Sequence, residues 1–271
     1  MSLSATILGC GSSGGVPRPG QGWGACDPEN PKNRRRRCSL LVERPSAQGS
    51  TIVLVDTSPD LREQWLATGP RRAGHGHLDG ILMTHAHADH THGMDDVRPL
   101  VIKARKRIDI FMDAPTEAAV RMRFGYIFET PPGSQYPPLL TLRSLHPGVA
   151  VRIEGAGGAV DAIPFLLDHG DISALGFRFG NLAYTPDVVA IPDDSVEYLA
   201  GLDTWIIDAL RYTRHPSHFS LEESLAWIDR MKPRRAILTN LHTDMDYAQL
   251  AAELPDNVEP AYDGMEVSVD L

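Results

Sequence analysis

Between Met83 and His90 the chain reads Met-Thr-His-Ala-His-Ala-Asp-His, and no other stretch constrains its fold as strongly. The imidazoles of His85, His87 and His90 and the carboxylate of Asp89 fall within six residues. Imidazole nitrogen and carboxylate oxygen are natural donors for zinc and related divalent ions. Residues 80–84, just ahead, read as a strand. In an extended segment alternate side chains share a face, so His85 and His87 point the same way. A helix opening near Asp89 sets Asp89 and His90 at its N-terminus, where the dipole keeps a carboxylate ionised. Two pairs of ligands are thus offered to two metals a few ångström apart. A solvated histidine run has no reason to keep this spacing.

The rest of the chain alternates short apolar runs with helical patterns. Residues 5–8, 39–43, 52–56, 108–112, 176–179, 182–185, 205–209, 235–239 and 266–269 read as further strands bounded by Gly, Pro or Asp. Helices are expected over 59–68, stopped by Gly69-Pro70, over 116–128, and over 246–254 before Pro255. Residues 220–231 carry the clearest helix signal. Ser220 and Glu223 form a capping box, and Leu221, Leu225 and Ile228 share one face. No long linker or repeat divides residues 1–271, so one α/β domain is expected, with two mixed sheets and helices outside.

Composition narrows the class. The chain has 26 Lys+Arg against 35 Asp+Glu, a net charge of −9, which argues against a general nucleic-acid or anionic-membrane binder. Its three cysteines, Cys10, Cys26 and Cys38, form no CxxC pair, so neither a disulfide framework nor a four-cysteine zinc site is expected. No basic region followed by an apolar run opens the chain, and no window approaches the roughly 18 apolar residues of a membrane span. A cytoplasmic location is the expectation. Gly9-Cys10-Gly11-Ser12-Ser13-Gly14 matches G-x-G-x-x-G, but it runs into Val16-Pro17-Arg18-Pro19-Gly20, where no helix can open. A dinucleotide fold is therefore not expected. A turn at Ser12 that brings backbone N–H groups to a substrate anion is kept.

His85, His87, Asp89 and His90 match in full the H-x-H-x-D-H signature of the metallo-β-lactamase superfamily, which this chain resembles over nearly its whole length. The resemblance implies an αββα sandwich. It implies that His85, His87, His169 and Asp187 hold one metal and that Asp89, His90, His242 and Asp187 hold the other. Redox diiron members have Glu where this chain has His87, so nitrogen there favours a hydrolytic pair of zinc or manganese ions. The Gly-rich start, Gly93-Met94-Asp95-Asp96-Val97-Arg98 and His215-Pro216-Ser217-His218-Phe219-Ser220 resemble the phosphodiesterase branch. That branch includes the phosphoribosyl cyclic phosphate phosphodiesterases and, more distantly, tRNA 3′-processing endonucleases. His218 is by resemblance the extra histidine that protonates the leaving oxygen or binds phosphate.

The resemblance also has a departure. The phosphoribosyl enzymes hold a structural zinc with a cysteine cluster and a histidine three residues past the last ligand. Here Cys26 stands without a cysteine cluster and Met245 takes the histidine's place, so that zinc is not expected.

The expected function is a dinuclear phosphodiesterase acting on a small cyclic or nucleotide-like phosphodiester through a metal-bridging hydroxide, with Asp89 and His218 in catalytic roles. His218, His215 and Ser12 are the expected substrate contacts. Nucleic acid and membrane are not expected partners; a homodimer is left open. The alternatives are a tRNA 3′ endonuclease and a lactone, ester or β-lactam hydrolase on the same metal core. Arg34-Arg35-Arg36-Arg37 reads as a solvated edge, with a phosphate clamp as its functional alternative. His75 and His77 read as solvated loop residues. His92, Asp95, Asp96 and Arg98 read as groups packed around the ligands on a short helix ended by Pro99. Asp208 reads as a strand-end carboxylate able to bond a ligand histidine.

Overall fold

The computed structural model describes residues 2–68 and 76–270. Its first sheet contains β1 (Ser2–Gly9), β2 (Ser39–Ser46), β3 (Gly49–Val55), β4 (Gly80–Leu82), β5 (Ile108–Met112) and β6 (Leu140–Ser144). Then come β7 (Val151–Ile153), β8 (Val160–His169), β9 (Ile172–Phe179), β10 (Leu182–Thr185), β11 (Thr204–Asp208), β12 (Arg235–Thr239), β13 (Val258–Pro260) and β14 (Met265–Asp270). Helices α1 (Leu61–Thr68), α2 (Ala88–Thr91), α3 (Arg98–Ala104), α4 (Ala114–Phe128), α5 (Leu221–Met231) and α6 (Tyr247–Glu253) join them.

Among the described residues the strands form two seven-stranded sheets, ordered β14-β1-β2-β3-β4-β5-β6 and β13-β12-β11-β10-β9-β8-β7. Each sheet is mixed. Strands β3 to β6 run parallel, as do β10 to β13, and the others pair antiparallel.

The period-2 alternation of each strand builds the layers. Val53 and Val55 join Leu40, Phe177, Ile206 and Ile237 in a core between the sheets. Ile52 and Leu54 turn the other way and pack with Leu61, Val101, Val120 and Ile127. Trp205, Ile207 and Leu238 do the same against Ile228 and Leu250. The result is the expected αββα sandwich with helices outside.

Four strands went unread in the sequence: β6, β7, β8 and β13. The long strand β8 carries Pro164 opposite Phe177. Since β7 pairs with only residues 160–162 of β8, Pro164 lies beyond that partner and needs no N–H there. The expected helices are all present, and the capping box of Ser220 with Glu223 is formed. Pro99 was misread. It does not end a helix but stands in the first turn of α3, where a missing N–H costs nothing. Gly69, Pro70 and His75 lie outside the described residues. No helix among those residues is long and apolar enough to cross a membrane.

Candidate metal centre

In open parallel sheets, functional groups collect beyond the carboxyl ends of the strands. Here Asp56 follows β3, His85 follows β4, His169 ends β8, Asp187 follows β10, Asp208 ends β11 and Asn240 follows β12. A hydrogen bond from Leu175 N to Thr84 O (2.9 Å) ties the two sheets together beside His85.

His85, His90 and His169 are each held by one nitrogen, which leaves the other free. His85 Nδ1 donates to Thr84 Oγ1 (2.9 Å), and Thr84 Oγ1 donates to Asp56 Oδ2 (2.8 Å). Asp56 Oδ2 also accepts from His90 Nδ1 (2.7 Å). His169 Nδ1 donates to Ser217 O (2.6 Å). The freed atoms converge. His87 Nδ1 lies 3.0 Å from His85 Nε2 and 3.2 Å from His169 Nε2. His90 Nε2 lies 3.1 Å from Asp187 Oδ2. Three sets of donor atoms thus gather within 4.8 Å: His85, His87 and His169; His85, His90 and Asp187; and His169, Asp187 and His218.

Electrostatics favour cations at this point. Burial, with His90 alongside, holds His85 well below the usual imidazole range. Burial also lowers His87 and His169, so all three are neutral donors at pH 7. His90 goes the other way. Burial opposes its charge, but Asp187, Asp56 and Asp89 outweigh burial and keep it well above its ordinary range. For Asp187, burial favours the neutral acid, yet His90 above all holds the carboxyl far down and ionised.

The donor set fits divalent metal. Asp187 Oδ2 is buried without a hydrogen-bond partner, although His90 Nε2 is 3.1 Å away. Buried donor atoms of His85, His90 and Asp187 gathered within 4.8 Å of one another, imidazole nitrogens beside a carboxylate, are a set that suits a divalent ion.

Beside this cluster stands His218. Its Nδ1 donates to Asp208 Oδ2 (2.8 Å), and its ring centroid is 4.7 Å from that of His169. Burial pulls its pKa down, but Asp208 and Asp187 overcome this and push it up to about 9. The histidine that Asp208 bonds is therefore His218, a member of the third donor set.

The other expected residues sit further out. Asp89 Oδ2 is 3.6 Å from His90 Nε2, on the flank of the cluster. His242 is outside all three donor sets, with Nε2 accepting from Arg18 Nη1. Ser12 is buried beneath Leu241, to whose carbonyl its N–H donates (3.3 Å), and its Oγ has no partner. His215 lies 5.1 Å from His218, ring to ring, and its Nδ1 accepts from Ser217 N (3.3 Å).

Several surrounding residues differ from expectation. His92 is exposed and meets Phe124 edge-on at 5.7 Å, because α2 turns it away from the cluster. Asp95 binds Arg98 (2.5 Å) and no ligand. His77 is not free in solvent; its Nε2 donates to Ser50 O (3.1 Å). The arginine run is neither a solvated edge nor a free clamp. Arg34 lies over Trp23 (5.1 Å), Arg36 pairs with Asp263 (2.9 Å) and Arg37 with Asp60 (3.0 Å). Arg35 is 2% exposed. Cys10 and Cys38 fill the core, as expected of small apolar groups.

Asp56, Thr84 and Asn240 were missed. Asn240 Nδ2 donates to Pro186 O (3.0 Å) and Asp187 Oδ1 (3.3 Å), fixing the Asp187 turn. Asp56 and Asn240 both hold positive φ, 62° and 63°, directly after strands. Asp and Asn tolerate that conformation best among non-glycine residues, so a strand-terminal Asp or Asn was the available signal. Replacing Asp56 with Ala frees His90 to rotate and orphans the donors on Thr84. We expect metal affinity at His90 to fall about 10–100-fold. Stability should drop by about 1–3 kcal/mol. Metal titration and denaturant unfolding check the two effects separately.

The chain is similar to known proteins. Residues 51–240 match the family described as Beta-lactamase superfamily domain. Over 273 residues the chain is 30% identical to Octanoyltransferase of Porphyromonas gingivalis, with 99% of this chain and 52% of that protein aligned. The chain thus spans about half the length of that relative. The crystal structure of a new diphosphatase from the PhnP family superposes with a TM-score of 0.86 at 34% identity, covering 99% of this chain and 97% of that one. Zn(2+)-bound PqqB from Methylobacterium extorquens superposes with a TM-score of 0.75 at 18% identity, over 99% and 100% of the two chains, a likeness of fold.

Proposed function

Because the chain belongs to the metallo-β-lactamase superfamily and is a metal-binding hydrolase of that fold, we propose that it is a dinuclear phosphodiesterase of small cyclic or nucleotide-like phosphodiesters. The observation that carries this reading is the gathering of donor atoms from His85, His87, His90, His169 and Asp187 in overlapping sets within 4.8 Å, with His218 alongside. The 34% identical diphosphatase supports phosphorus chemistry over carboxylic ester chemistry.

On this reading His85, His87 and His169 would hold one ion. Asp89, His90 and His242 would hold the other, which requires His242 to give up its bond to Arg18, and Asp187 would serve both. Two divalent ions of zinc or manganese, when bound, attract the anionic ester, polarise its oxygens and bring the pKa of a water toward neutrality. Asp56 and Thr84 keep the ligand imidazoles in the required tautomers. Asp208 holds His218 by Nδ1, which leaves Nε2–H to protonate the leaving oxygen. The net charge of −9 disfavours long nucleic acids as substrates.

The test is turnover by protein stripped with a chelator and reloaded with Zn²⁺ or Mn²⁺. It should release p-nitrophenolate from bis-p-nitrophenyl phosphate and open cyclic phosphates, each dependent on metal. Cleavage of a lactone or thioester with phosphodiesters untouched contradicts the proposal.

A further inference from the structure

Arg35 is the least expected charge in the molecule. It is 2% exposed, among the largest fully buried side chains, in the middle of a run of four arginines. Among the described residues its guanidinium meets no carboxylate directly. Nη1 donates to His242 O (3.2 Å) and reaches Cys26 Sγ (3.8 Å). Nη2 donates to Met245 O (2.6 Å) and Asn33 Oδ1 (3.2 Å). The countercharge arrives through a relay, since Asn33 Nδ2 donates to Asp246 Oδ2 (2.6 Å).

These contacts join segments far apart in sequence. The Arg35 backbone exchanges two hydrogen bonds with Val16 (2.9 Å each), at the end of the Gly-rich loop. Ala25 N donates to Thr243 O (2.8 Å), and Tyr247 N donates to Asn33 Oδ1 (2.8 Å). The turn that presents His242 is therefore gripped by the carbonyls of His242 and Met245, both held by one planar fork. A buried cation without a direct partner is costly, and a fork of fixed geometry aimed at two carbonyls fixes backbone direction better than a flexible ammonium.

We propose that the buried Arg35 guanidinium is the positioning residue for His242, holding that turn where the imidazole serves the second ion. The proposal rests on the dinuclear reading, in which His242 is a ligand. Arg35 touches neither substrate nor metal and acts through the His242 backbone.

The test is a Co²⁺ titration of the metal-stripped full chain, read by visible absorption and equilibrium dialysis. Wild type, His242→Ala, Arg35→Ala and Arg35→Lys are compared, with circular dichroism as the check on folding. Wild type should take two equivalents. Arg35→Ala should keep the first at full affinity and bind the second about 10–100-fold more weakly, as removal of a ligand-orienting group does. His242→Ala should lose the same equivalent. Low-millimolar guanidinium should restore the second equivalent in Arg35→Ala and not in Arg35→Lys, a rescue that general destabilisation does not produce.

Two tight equivalents in folded Arg35→Ala overturn the proposal, as does equal weakening of both equivalents without rescue. If Arg35→Ala does not fold, Asn33→Ala removes the side-chain acceptor of Nη2 and should weaken the second equivalent alone; unchanged binding there overturns the proposal too. A single equivalent in wild type is a different outcome. It removes the dinuclear reading itself, and the Arg35 role with it.

Discussion

Asp187→Ala should abolish metal-dependent phosphodiester hydrolysis and strip the second ion from the protein. Asp187 lies between the donor sets: its Oδ2 is 3.1 Å from His90 Nε2 and its Oδ1 is 3.8 Å from His169 Nε2. Its carboxyl is held ionised chiefly by His90 against the pull of burial. On the dinuclear reading, removing it would take a shared anionic ligand from both ions and leave His90 with less countercharge. Metal assistance is worth several kcal/mol of transition-state stabilisation, so turnover should fall by about 10³-fold or more. Steady-state rates on bis-p-nitrophenyl phosphate, beside metal analysis of the same samples, measure both parts. Full activity with a full metal complement in the variant contradicts the role given to Asp187.

The second large effect separates chemistry from metal. His218→Ala should lower kcat by about 10²–10⁴-fold, the usual worth of a positioned general acid. Metal content should stay intact, since His218 spends Nδ1 on Asp208 and on the proposed reading serves the leaving group. The pH profile gives a second readout. A general acid works only while protonated, and the Asp208 and Asp187 carboxylates raise His218 over the opposing effect of burial to about 9 in the metal-free protein. Wild-type activity should therefore hold through neutrality and fall as pH rises through the His218 pKa. On the proposed reading, bound cations would move that limb below 9. His218→Ala should lose the limb as well as the rate. Loss of metal in this variant assigns His218 to the ligands instead.

Much of this site was legible because its densest part is contiguous. His85 to His90 needed no tertiary information, and the resemblance then carried His169, Asp187, His218 and His242. Five of the seven expected ligands, His85, His87, His90, His169 and Asp187, meet in the structure. The residues that orient them were harder to see. Asp56 lies 34 residues from the His90 it holds, and its partner choice depends on strand order, which pairs β3 with β4.

The arginine run failed for another reason. Charge patterning predicts solvent, but tertiary packing gave all four side chains different partners and buried Arg35. Strand β8 failed on Pro164, because whether a proline's missing N–H matters depends on where the neighbouring strand stops. His242 was placed by motif, while its contact with Arg18 depends on how the Gly-rich loop folds back.

The most direct test of the account is anomalous diffraction from crystals grown with Zn²⁺ or Mn²⁺. Two peaks a few ångström apart are expected, with Asp187 between them, His85, His87 and His169 around one, and Asp89, His90 and His242 around the other. A lone peak at the three histidines, with His242 still bound to Arg18, contradicts the dinuclear site.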